Sequence, residues 1–367
     1  MSKVSIEASN NSFTFPIVSD GELANEKLKD FIELYNDSYL TEIKNILMVD
    51  DNKKLLRAIF SNSPYLTSLL FKYHDFALSL FSSSADDLLS NKLQSLTDLS
   101  NQISSMTELM QTLRVAKSEI ALIIGIADLT NTWKLSKITN GLSDFAEIAL
   151  RISVNFLLKV GIATGNLDHE VINDDITSNS GYVIMALGKL GGYELNYSSD
   201  IDLIVLFDMD IIKYCGRKSP QDFFVKITQK LVKIMADRTA DGYVFRMDLR
   251  LRPDPGATPV ALSMGGAEIY YQTVGLNWER AAMIKARPIA GDIEAGLMFL
   301  ERIRGFIWRR HLDYAAIEDI HAIKKLIHEH HSHREIMLAG QDVKLGRGGI
   351  REIEKAKGDG VPYIPGI

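Results

Sequence analysis

The stretch Tyr182-Val-Ile-Met-Ala-Leu-Gly188-Lys-Leu-Gly-Gly192-Tyr-Glu-Leu-Asn-Tyr197-Ser-Ser-Asp200-Ile-Asp202-Leu-Ile-Val-Leu-Phe207 decides the fold. Tyr182 to Leu187 is a short apolar run closed by Gly188, the pattern of a buried strand followed by a tight turn. Asp200 to Phe207 is a second strand, apolar on both faces once past its two acidic residues. Downstream, Phe224, Ile227, Leu231, Ile234 and Met235 mark an amphipathic helix, and Tyr243 to about Arg252 reads as a third strand. Strand, turn or helix, strand, helix, strand is an α/β core.

Working outward, apolar residues from about Asn25 to Gly161 recur at helical spacing. In one stripe, Leu66, Leu69, Leu70, Tyr73 and Ala77 follow a cap at Ser63 and a first helical residue at Pro64. In another, Phe145, Ile148, Ala149, Ile152 and Phe156 follow a cap expected near Ser143. This region shows no catalytic constellation and reads as helical packing or docking structure, with His74 and Asp128 structural or on the surface. Between Thr164 and Ser180 the composition turns to Gly, Asn, Asp, Ser and Thr, which is linker chemistry. From Ala267 onward helices are expected to return, with Ile320, Ile323 and Ile327 on one stripe, and Lys355 to Ile367 reads as a loose Gly/Pro-rich tail.

The chain has 367 residues, enough for more than one domain, and 46% of them are hydrophobic, so fibrous and low-complexity readings fall away. With 41 basic and 47 acidic residues the net charge is −6, too acidic for a protein that coats nucleic acid; any phosphate binding must be local. One cysteine, Cys215, excludes an internal disulfide or a cysteine-based zinc site and points to a reducing cytoplasm. The polar start lacks a signal-peptide core, and the longest apolar run near the middle, Ile120 to Ala127, is too short to span a bilayer. No nucleic-acid or membrane partner is expected. The histidines His328, His330, His331 and His333 fall on different helical faces, so their spacing gives no three-ligand metal set.

Asp200 and Asp202 stand two positions apart at the start of a strand, so period two sends both carboxylates to one face. Like charges that close are tolerable around a divalent cation, and Mg²⁺ prefers a few carboxylates plus phosphate oxygens. In the third strand the odd positions Tyr243 to Leu251 are apolar, while the even ones are Val244, Arg246, Asp248, Arg250 and Arg252. Asp248 is thereby expected as a third metal ligand flanked by phosphate-binding guanidinium forks. The Gly188-Lys189-Leu190-Gly191-Gly192 turn has neither Walker A nor dinucleotide spacing, yet its glycines let backbone amides approach a phosphate.

Leu187-Gly188-Lys189 followed, ten residues on, by Asp200-Ile201-Asp202-Leu203 resembles the signature of the polymerase-beta-like nucleotidyltransferases, with Lys189 where Gly or Ser is usual. More narrowly, four ordered blocks resemble the glutamine synthetase adenylyltransferase/adenylyl-removing enzymes. They are Met185 to Leu203; Asp248-Leu-Arg-Leu-Arg-Pro253; Trp278-Glu-Arg280 with Lys285-Ala-Arg-Pro-Ile-Ala-Gly-Asp292; and Lys344 to Glu354.

The resemblance implies an α+β multidomain chain: an N-terminal helical domain over 1–170, a nucleotidyltransferase core over 171–305, the start of a helical domain over 306–354 and an irregular tail over 355–367. It implies Asp200, Asp202 and Asp248 as catalytic acids that hold Mg²⁺ or Mn²⁺. Gly188, Lys189, Ser199, Arg250, Arg252, Glu279, Arg280, Lys285 and Arg287 are the nucleotide- and phosphate-binding candidates. Arg280 and Arg287 stand open between that role and pairing with Glu279 and Asp292; Arg347, Gly348 and Gly349 are similarly open.

Each family chain carries two nucleotidyltransferase domains, one attaching AMP to a tyrosine of glutamine synthetase and one removing it by phosphorolysis, under control of glutamine and the PII signal protein. One Asp-x-Asp site of this kind, Asp200-Ile-Asp202 after the Gly188 turn, behind a helical region resembles the removing half, in a chain that departs from the family after Glu354 as a truncated copy would. The expected partners are glutamine synthetase, ATP or ADP, phosphate and PII. The alternative is a non-catalytic fragment that only binds glutamine synthetase.

Overall fold

The computed structural model describes residues 16–168 and 176–308. The expected helix over Ile320 to Ile327, the histidines of 328–333, the block at 344–354 and the tail lie outside the described residues, as do residues 169–175 of the linker. The chain is α+β and divides into two compact units. The first is helical and comprises Met1–Leu157, Tyr193–Asp200 and Lys230–Arg246; the second holds the sheet and comprises Leu158–Gly192, Ile201–Gln229 and Met247–Ile367.

The helical unit opens with α1 (Gly21–Glu33), α2 (Asp37–Met48), α3 (Asp50–Asn62), α4 (Pro64–Lys72), α5 (His74–Ser82), α6 (Ala85–Leu99) and α7 (Met106–Leu129), and takes α8 (Leu135–Ala163) as far as Leu157. Its first core gathers Phe31, Ile43, Leu56, Ile59 and Leu70, all essentially buried, around a ring contact of Phe31 with Phe60 and Phe71 at 5.6 Å each. Burying such side chains stabilises the unit by about 1.5–3 kcal/mol apiece before chain entropy is charged against it.

Ser63 caps α4 as its sequence predicts, accepting from the Leu66 amide at 3.3 Å with Pro64 first in the helix. The stripe beyond it is shared by two helices, because the chain turns at Tyr73, where φ is −117° and ψ 44°. The cap expected near Ser143 is a correction. α8 begins at Leu135, and Ser143 is a buried interior residue whose Oγ donates to the Thr139 carbonyl at 2.8 Å. A serine inside a helix can satisfy its hydroxyl on the preceding turn, so its presence alone does not mark a start.

In the sheet unit, β1 (Tyr182–Ala186) leads through the one-turn helix α9 (Gly188–Gly191) toward β2 (Ile201–Phe207), followed by α10 (Pro220–Ala236), whose residues from Lys230 on belong to the helical unit. Then come β3 (Met247–Asp248), β4 (Leu262–Ser263), α11 (Met264–Thr273), α12 (Asn277–Met283), β5 (Arg287–Gly291), α13 (Ile293–Arg302) and α14 (Arg304–Ile307). The sheet runs β3-β2-β1-β5, with β1 antiparallel to both β2 and β5, and β2 parallel to β3 at its start and to β4 at its end.

The continuous burial of β1 has a physical cause: both faces are covered. Val183, Met185 and Leu187 join Met264, Tyr271 and Phe299, while the Tyr182 ring stacks on Phe224 of α10 at 5.5 Å with its hydroxyl 2.9 Å from Thr228 Oγ1.

Two expectations are corrected here. The third strand is two residues long rather than ten. Before it, Val244 and Phe245 are both buried, with amides on the same Met235 carbonyl at 2.9 and 3.1 Å, which breaks the period of two. After it, the Asp248 carboxylate takes the Arg250 amide at 2.8 Å, an Asx turn that ends the ladder. The region after Ala267 is not all helix, since Arg287–Gly291 forms β5. Pro288 is tolerated there because β5 lies at the edge of the sheet.

Candidate active site

The sheet unit builds its candidate site where β1 ends and β2 begins. Parallel pairing sets Asp202 opposite Asp248, which places two carboxylates at one register position of neighbouring strands. Gly188, first residue of α9, packs against Asp202: its φ is +55°, and a Cβ at that position would lie 2.6 Å from Asp202 Oδ2. Gly191 is equally confined, since a Cβ there would meet the Lys285 carbonyl oxygen at 2.2 Å. Only glycine allows α9 to sit this near both the acid and the chain before β5.

An arginine neutralises Asp248. The Arg250 guanidinium donates to Asp248 through Nε at 3.0 and 3.1 Å and a terminal nitrogen at 2.6 Å. This fork holds the Asp248 carboxyl below the usual carboxylate range. The Arg250 side chain is 82% exposed and Asp248's only 17%, so the guanidinium reaches inward from solvent. Arg252 is differently placed. It donates to the carbonyls of Leu249, Pro255 and Thr258 at 2.7–3.3 Å, which closes the turn after β3 and directs its fork at backbone.

The block around α12 and β5 divides in the same way. Glu279 is 1% exposed, accepts from the Leu276 amide at 2.8 Å and from the Tyr270 hydroxyl at 3.1 Å, and so caps α12. Burial pushes its carboxyl above the ordinary range. Arg280 pairs with Asn277 and lies over the Phe306 ring at 5.7 Å. Arg287 donates to the Leu190 and Gly191 carbonyls at 3.1 and 3.3 Å, satisfying the open end of α9. The sequence leaves open a pairing of Arg280 and Arg287 with Glu279 and Asp292, and these bonds follow a different pattern: Asp292 accepts from the Gly181 and Ala295 amides and caps α13.

In the helical unit, Asp200 is exposed and accepts from Arg246 Nε at 2.5 Å, and the same guanidinium donates to the Ser198 carbonyl at 2.8 Å. Arg246 is visible in the sequence only as one of several arginines near Asp248; its pairing with Asp200 is a long-range contact that spacing cannot show. The Ser199 amide donates to Asn196, within a turn. Cys215 is exposed, with its thiol 3.8 Å from the Lys213 carbonyl.

Among the described residues no three His, Cys, Asp or Glu side chains converge as a metal-binding group, and no helix is long and apolar enough to cross a membrane. The donor chemistry of Asp202 beside Asp248 still suits a hard divalent cation, which takes carboxylate oxygens and leaves positions for phosphate.

Residues 53–302 match the model of the glutamate-ammonia ligase adenylyltransferase family. A bifunctional glutamine synthetase adenylyltransferase/adenylyl-removing enzyme of Mesorhizobium japonicum is 44% identical over 82% of this chain and 30% of its own length. The enzyme of the same description from Rhizobium meliloti is 43% identical over 82% and 31%, and that from Xanthobacter autotrophicus 41% over 92% and 34%. The chain thus spans about a third of the length of the curated relatives it matches. On these matches, the chain belongs to the glutamate-ammonia ligase adenylyltransferase family.

Proposed function

We propose that the chain is a nucleotidyltransferase acting on glutamine synthetase and that its direction is removal: phosphorolysis of AMP from an adenylylated tyrosine. The observation that carries the chemistry is the placement of Asp202 beside Asp248 in register, with Asp202 against the glycine start of α9. The protein substrate rests on family membership and on the names of the relatives, which concern proteins about three times as long. Direction rests on the place of the Asp200-Ile-Asp202 motif behind a helical region, the arrangement of the removing half.

In this reading a phosphate oxygen forms a bond to the α-phosphorus of the tyrosyl-AMP, the bond from phosphorus to the phenolic oxygen breaks, and ADP leaves. The tyrosine phenolate then takes a proton. Asp202, Asp248 and Asp200 would hold Mg²⁺ or Mn²⁺, which when bound neutralises phosphate oxygens and supports the leaving phenolate. Arg250, which reaches Asp248 from solvent, would offer its guanidinium to the attacking phosphate. Lys189, next to Gly188 in α9, would add a second cation. ATP, ADP, glutamine and the PII signal protein belong to this proposal as ligands and regulators, and a cytoplasmic location accords with it.

Asp202→Asn and Asp248→Asn test the assignment. Each is expected to lower divalent-dependent release of ADP by more than about 10³-fold with an unchanged urea unfolding midpoint. Undiminished release in both variants would refute it.

A further inference from the structure

The loop that precedes β2 belongs to the helical unit. Tyr193 and Ser198, at its two ends, both have left-handed backbone, with φ of 57° and 54°. Neither is a glycine, so each conformation is sterically costly for its side chain and persists only where neighbours impose it. Those neighbours are on α7 and α8. The Tyr193 hydroxyl donates to Asp144, the Leu195 amide donates to Ser143 Oγ at 3.2 Å, and the Tyr197 hydroxyl donates to Asp128 at 3.1 Å.

The far end of the loop is clamped too. Arg246 bridges the Ser198 carbonyl and the Asp200 carboxylate, and its third nitrogen donates to the Tyr243 hydroxyl at 3.2 Å. Tyr243 is itself fixed from α7, where the Lys117 amine donates to its carbonyl at 2.9 Å and lies over its ring at 4.2 Å. Arg114, fully buried on the same helix, donates to the carbonyls of Asp237 and Gly242 at 2.6 and 2.9 Å. The helical unit therefore grips both segments that lead into acid-bearing strands, the one ending at Asp200 and the one ending at Arg246.

We propose that Asp128 and Asp144, through Tyr197 and Tyr193, are positioning residues that fix the conformation of the loop carrying Asp200. The inference rests on the reading of Asp200 as a metal-binding acid.

The test uses the full chain and three measurements: Mn²⁺ affinity from the spin-resonance signal of the free ion, steady-state phosphorolysis of adenylylated glutamine synthetase, and thermal unfolding. In Tyr193→Phe/Tyr197→Phe, which keeps both rings and removes both hydroxyl bonds, Mn²⁺ is expected to bind about 5-fold more weakly and kcat to fall about 10-fold with KM unchanged. Asp144→Ala is expected to behave likewise, whereas Asp144→Asn, which retains a carbonyl acceptor, recovers most of both. Unfolding temperatures should stay close to that of the parent chain.

Asp200→Asn separates the two claims. If it leaves Mn²⁺ binding and turnover intact, the reading of Asp200 fails and the inference fails with it. If it silences both while the tyrosine variants and Asp144→Ala match the parent, the reading stands and the positioning role is refuted. A loss in Asp144→Ala that Asp144→Asn does not relieve, accompanied by a lowered unfolding temperature, also contradicts it by reducing the contact to packing.

Discussion

Gly188 concentrates the local argument. Its φ of +55° is the left-handed region, and its missing side chain leaves the space in which Asp202 sits. Gly188→Ala is therefore expected to cost about 1–2 kcal/mol of stability from backbone alone. By pushing the Asp202 carboxylate aside it should also lower ADP release more than about 10-fold. Urea unfolding and steady-state kinetics on the same preparation check both effects. The sequence by itself groups Gly188, Asp200 and Asp202 as one motif, because their spacing lies along local chain, and adds Asp248 from the alternation of a later strand. Arg246 and Arg252 are not legible in the same way. Both sit near Asp248 in sequence, yet one binds Asp200 and the other binds three carbonyls, and only tertiary structure distinguishes a guanidinium aimed at a carboxylate from one aimed at backbone.

The elements show why some boundaries can be read and others not. β1 and the α10 stripe follow from burial period, which the sequence carries directly: Phe224, Leu231, Ile234 and Met235 are all fully buried. β3 and β5 do not follow, because one is cut short by an Asx turn and the other contains a proline that only a sheet edge accepts. The motif block offers Glu279 to a ligand, but the chain uses that carboxylate to cap α12 inside the core. Glu279→Gln offers a check with a definite sign. Burial raises the folded-state pKa, so above the unfolded value the folded protein binds the proton more tightly and stability falls as pH rises toward and through the raised pKa. Glutamine keeps an oxygen acceptor and carries no charge. The variant should thus match the parent near pH ~4.5 and become progressively more stable than it at higher pH, as read by urea midpoints across that range.

At the scale of the molecule, the helical unit and the sheet unit interleave along the chain, so residues far apart in sequence complete each one. That interleaving is not legible, because a domain read from composition is a continuous span, whereas Tyr193–Asp200 and Lys230–Arg246 join the helices through side-chain bonds to α7 and α8. The broad class and the family motifs are legible, since both depend on pattern rather than contact. The central claim is directional, and both directions of transfer use the same α-phosphorus and the same acids, so one paired assay addresses it. The purified chain with Mg²⁺ is given either unmodified glutamine synthetase and α-labelled ATP, or synthetase already carrying labelled AMP and inorganic phosphate. The account predicts no label on the synthetase in the first mixture and labelled ADP in the second; label transferred from ATP to the synthetase in the first would contradict it.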